Sequence, residues 1–138
     1  GYGVVEAASG EEALALLTPQ PRTDAVLLRL AIAGMRLKSP GASADARQVR
    51  DTIAQANLRP DARGTHAREQ AMFALEVEAM PAAALALARE NVRRQREPLD
   101  LLVLARSARA AGDENAIREV DQLRREMGLR DRRLDALL

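Results

Sequence analysis

Helix-breaking residues recur along this chain about once per helix length, and that spacing limits the fold more than any other feature. Breakers stand at Thr18-Pro19-Gln20-Pro21, Ser39-Pro40-Gly41, Pro60 to Gly64, Met80-Pro81, Glu97-Pro98, Gly112-Asp113 and Gly128. The stretches between them run to roughly 12–16 residues and place apolar side chains three and four apart, the period of a helix with one buried face. The residue alphabet agrees. Leu and Ala supply most of the apolar 47%, Val, Ile and Thr are few, and the only aromatics are Tyr2 and Phe73. Such a mixture favours helix over strand.

The spacing predicts a helix over about 10–17, opened by the Ser9-Gly10-Glu11-Glu12 capping box. Further helices follow over Thr23–Leu37, Ser43–Asn57, Thr65–Glu78, Pro81–Gln95 and Pro98–Gly112. Asp113 caps another that ends before Gly128, and a short one over 131–137 covers the exposed end. Pro81 and Pro98 suit a first helical position, where the missing amide costs nothing. Opposite charges four apart (Glu90 with Arg94, Glu114 with Arg118, Asp121 with Arg125) support these helices weakly. Short connections imply antiparallel hairpins over about 23–57, 65–95 and 98–127, in one domain spanning 1–138.

Ala71 corresponds to Ala105, 34 residues on. Leu101-x-x-Leu104-Ala105-x-x-Ala108-x-x-x-Gly112-Asp113, followed by Ala116-Ile117, Val120 and Leu123, resembles a tetratricopeptide repeat. The stretch His66–Gln95 is similar to a preceding unit, and Glu12–Leu37 resembles the second helix of one repeat and the first of the next. Leu101 and Ala108 replace the family's usual aromatics, and Met80-Pro81 stands in place of a Gly-Asp turn. The resemblance implies an all-α fold, an α-solenoid of antiparallel helical hairpins wound into a right-handed superhelix. It also implies a non-catalytic scaffold that binds a peptide or protein in its concave groove. On that alignment Arg68, Met72 and Leu75 line the groove from one first helix, and Leu102, Arg106 and Arg109 from the next. Ile32, Met35 and Arg36 are a further contribution. An apolar floor edged by arginines fits a peptide carrying acidic residues.

A second resemblance is local. Gly1 to Leu14 and Asp24 to Leu28 are similar to the early part of a response-regulator receiver, with Arg29 where the phosphoacceptor Asp would stand. That alternative predicts strands at Val4-Val5 and Val26–Leu28.

Other chemistry is thinly represented. There is no cysteine, which excludes disulfides and thiolate metal sites. His66 is the single histidine and reads as an exposed first-turn residue. Glu76 and Glu78 lie two apart and diverge on a helix. No phosphate loop or nucleophile signature is present, so neither cofactor nor metal is expected. Arg89, Arg93, Arg94 and Arg96, and Arg124, Arg125, Arg130, Arg132 and Arg133, form two basic clusters. They raise the alternative of nucleic acid or another polyanion as ligand. Interleaved acids and a net charge of only +1 favour a solvated face instead.

No apolar run approaches the roughly 20 residues of a membrane span. Twenty arginines against the single Lys38 fit GC-rich bacterial coding, and the start at Gly1 fits a piece of a longer protein. Compartment, bacterial cytoplasm or periplasm, is left open, and self-association through an end helix is an expectation.

Overall fold

The computed structural model describes residues 24–38, 41–57 and 67–138. Every regular element among the described residues is a helix. The expected helix over 10–17, the Val4-Val5 strand and His66 lie outside the described residues. The chain falls into two compact units, Gly1–Asp61 and Ala62–Leu138.

In the first unit, α1 (Asp24–Leu37) packs against α2 (Ala42–Asn57). The strand that a receiver would require at Val26–Leu28 is therefore helix. Leu28, Leu30, Ala31, Ile32 and Ala33 are all buried, so α1 is covered on more than one side. Met35, expected on the widened apolar stripe, is 39% exposed. Only Ala46 and Val49 of α2 are fully buried among its described side chains, as its polar sequence leads one to expect.

The second unit holds α3 (Ala67–Glu76), α4 (Pro81–Val92), α5 (Pro98–Ala111), α6 (Glu114–Met127) and the single turn α7 (Arg132–Asp135). The α3 helix packs on α4, α4 on α5 and α5 on α6, and α5 also packs on α3 and α7. The expected ends shift in three places. The α3 helix stops at Glu76 because the chain turns through Ala79 in the left-handed region (φ 52). There the amides of Val77 and Glu78 both donate to the carbonyl of Phe73, and that of Met80 to Ala74. The α4 helix ends at Val92, and Arg94 and Gln95 donate back to the Asn91 carbonyl in a closing turn. The last helix is one turn: the Ala136 amide still donates to Arg132, but those of Leu137 and Leu138 donate only three residues back, to Leu134 and Asp135.

The other ends follow local chemistry. Gly112 and Gly128 sit at φ 68 and 65. Around each, the amides fold back five and three residues to satisfy the last carbonyls (Asp113 to Ala108 and Gly112 to Arg109; Leu129 to Arg124 and Gly128 to Arg125). Asp113 caps α6 by accepting from the Ala116 amide at 2.9 Å, and Asp131 caps α7 through Arg133 and Leu134.

The core of this unit runs through Ala71, Leu85, Ala88, Val92, Leu101, Val103, Leu104, Ala105, Ala108, Ala116, Ile117, Val120 and Leu134. Buried positions recur. Ala67, Ala71 and Ala74 of α3 match Leu101, Ala105 and Ala108 of α5, 34 residues on. Ala84, Leu85 and Ala88 of α4 match Ala116, Ile117 and Val120 of α6, but 32 residues on. The difference lies in the turn, four residues (77–80) in the first hairpin and two (112–113) in the second. Small residues at the matched sites let helix backbones approach closely, as stacked hairpins require.

Candidate functional site

From Asp100 to Ala105 the α5 helix is buried at every position, which makes it the centre of its unit. Asp100 has no solvent exposure, so its carboxylate must be fully satisfied from within. Its Oδ1 accepts from Arg68 Nε and Asn91 Nδ2, each at 2.6 Å. Its Oδ2 accepts from Arg68 Nη2 at 3.0 Å and from the Glu97 amide at 2.8 Å, the latter closing the first turn of α5. Arg68 Nη2 reaches Glu97 Oε2 at 2.7 Å, and Gln95 Nε2 holds Asn91 Oδ1 at 2.9 Å. One carboxylate thus joins α3, α4 and α5. Burial works hardest against its charge, but the Arg68 guanidinium, the Glu97 amide and Asn91 together outweigh it and hold Asp100 below the usual carboxylate range. Arg68 is correspondingly raised, chiefly by its hydrogen bond to Asp100.

The six residues expected to line a groove occupy different settings. Arg68 is bound into the Asp100 network. Leu102 is 1% exposed and belongs to the interior. Met72 is half-buried and rests against the core of the unit, and Leu75 is half-buried. Arg109 donates from Nε and Nη2 to the carbonyl oxygens of Leu137 and Leu138, and lies 3.5 Å from Glu114. Arg106 is exposed, and its guanidinium has no acidic partner among the described residues. Met72 and Arg106 hold equivalent places on α3 and α5, as do Leu75 and Arg109, and those helices are in contact. An apolar strip on α3 beside a cationic strip on α5 is what the arrangement offers a ligand.

The two basic clusters are largely neutralised. Arg89 pairs with Glu119 at 3.0 Å and Asp113 at 3.6 Å, and Arg94 with Glu90 at 3.7 Å. Arg96 donates to the Val92 carbonyl. In the second cluster Arg124 bridges Asp121 and Asp135, Arg125 reaches Asp121, and Arg133 reaches Asp131. The hydrogen bonds that Arg124 donates to Asp121 and Asp135 raise it, and those that Arg89 donates to Glu119 raise Arg89. Ala86, Arg89, Glu90, Arg93 and Arg94 line an open depression of roughly 440 Å³ on α4. Of the three helical pairs expected from spacing, two form. Glu114 instead faces Arg109, and Arg118 bonds Asn115.

Among the described residues no group of three acidic, His or Cys side chains could hold a metal ion. No helix among them is long and apolar enough to cross a membrane. The Ser107 hydroxyl is buried without a hydrogen-bond partner, at the position that Phe73 fills one repeat earlier.

Sequence reasoning treated Asp100 as one acid among several diluting a basic patch. Its local signal was an acid at the third position of a proline-led helix; its partners lie 9 and 32 residues away. No family model, curated protein or solved structure matches this chain.

Proposed function

We propose that this chain is a non-catalytic interaction scaffold whose tetratricopeptide-like hairpins bind a peptide or protein partner. The observation that carries the reading is the 34-residue recurrence of small buried residues, Ala71 with Ala105 and Ala74 with Ala108, in helices that pack together. Hairpins built this way leave an outer strip of each first helix for a ligand. On α3 that strip holds Met72 and Leu75; on α5 it holds Arg106. An exposed guanidinium beside half-buried apolar side chains suits a segment with an acidic residue next to an apolar one. Polyanion binding is the weaker reading, because five of the nine arginines in the two clusters already face carboxylates.

Affinity capture with the chain and with Arg106→Glu tests the proposal. A protein retained by the first and lost by the second, at equal helix content and melting temperature, supports it. The same set of proteins on both, or capture dominated by nucleic acid that washes off steeply with salt, sinks it.

A further inference from the structure

The last ten residues of the chain are held by little. Beyond α6 the fold depends on the fully buried Leu134, on the half-buried Leu129, Leu137 and Leu138 against the core, on the two hydrogen bonds from Arg109 to the Leu137 and Leu138 carbonyls, and on the Arg124–Asp135 ion pair. The α7 helix itself is four residues, far below the length that sustains a helix alone. The polar contacts join the segment to α5 and α6, and the chain enters it through the reversal at Gly128 (φ 65).

The apolar pattern does not respect that reversal. Ala116, Val120, Leu123, Met127, Arg130, Leu134 and Leu137 follow one another at alternating intervals of four and three residues. Six of the seven are apolar, the repeat of a helix seam that continues unbroken through Gly128. In the closed form the first half of this seam is buried at Ala116 and Val120, and Leu134 is folded back on the core. Met127, at the fold, is left 38% exposed. If Gly128 and the three residues after it take helical angles, α6 runs straight on towards Leu138 and carries Leu134, Leu137 and Leu138 away from their seats. The emptied seat on α5 then matches the same segment of another molecule.

We infer that Leu129–Leu138 is an exchangeable arm, and that its alternative docking site is α5 and α6 of a second copy of this chain. Each arm makes in trans the contacts it makes in cis, and the two-fold exchange closes a dimer. The conformational difference is confined to the connection 128–131: Gly128 leaves its left-handed angle, which it can do without a side-chain clash, and Leu129 to Asp131, the last now extended at φ −146, join the helix.

Sedimentation equilibrium of the full chain and of Gly128→Ala reads this out. Alanine disfavours the left-handed angle and favours helix, once in each copy, so dimer association rises on the order of thirtyfold. A variant that is helical and remains monomeric overturns the inference. The partner's identity is checked by mixing two chains in the Gly128→Ala background, one with Arg124→Glu and one with Asp135→Arg. Exchanged arms restore an opposite-charge pair at both junctions only in the mixed dimer. A heterodimer share well above the half expected from random pairing, read by native mass spectrometry, supports arm exchange. A share of one half shows that the dimer forms through another surface and overturns it.

Discussion

Asp100 shows what a single ionised group demands of a helical core. Its four hydrogen bonds come from two other helices, α3 and α4, and one turn amide, and together they satisfy a charge that has no access to water. Asp100→Ala is expected to cost about 3–5 kcal/mol in chemical denaturation, because it strands Arg68 as well as emptying the site. The pH response has a definite sign. The folded carboxylate ionises more readily than the unfolded one, so its stabilisation is complete above the ordinary carboxylate value, near pH 4. It is lost as pH falls through the depressed folded value. Melting temperature should therefore hold between about pH 5 and 7 and drop below about pH 4, with a shallower drop in Asp100→Asn. Ser107 makes the opposite case. Its hydroxyl has no partner, so Ser107→Ala should leave stability unchanged or raise it by up to about 1 kcal/mol, measured by urea denaturation.

Among the elements, the connections after α1 and α3 are strained, with Lys38 (φ 53) and Ala79 in the left-handed region. Ala79 holds φ 52 where the matching hairpin turn uses Gly112 at φ 68. Ala79→Gly should stabilise the protein by about 0.5–1 kcal/mol, and Gly112→Ala should destabilise it by about 1, both read from the denaturation midpoint. Neither change meets a packing cost at Gly112, where an added Cβ finds nothing within 4 Å. The helices themselves were legible from Pro81, Pro98, Gly112, Asp113 and Gly128, because those residues act on their own backbone. What escaped the sequence acts over distance. Nothing near Ala79 announces a left-handed residue, and no local pattern joins Arg68 to Asp100. The groove assignment had the same weakness. Helical spacing places Leu102 and Arg106 on one face, but only the packing around α5 shows that the first is interior and the second is not.

At the scale of the molecule, the two compact units make different demands. Among the described residues, the core cluster of the second unit draws on positions from Ala71 to Leu138. A chain limited to 62–138 should therefore fold by itself, with a helical circular dichroism spectrum, one cooperative melt and the same loss of stability below about pH 4. A featureless melt would show that its core is completed from outside.

Two helical hairpins that pack together invite the idea of interchangeable pieces, and Asp100 shows why these two are not. The second hairpin brings a negative charge to the centre of the stack, and the cation that answers it belongs to the hairpin before it. Transplanted behind any other neighbour, it would arrive with a wound in its middle; the order of the units is written into one guanidinium.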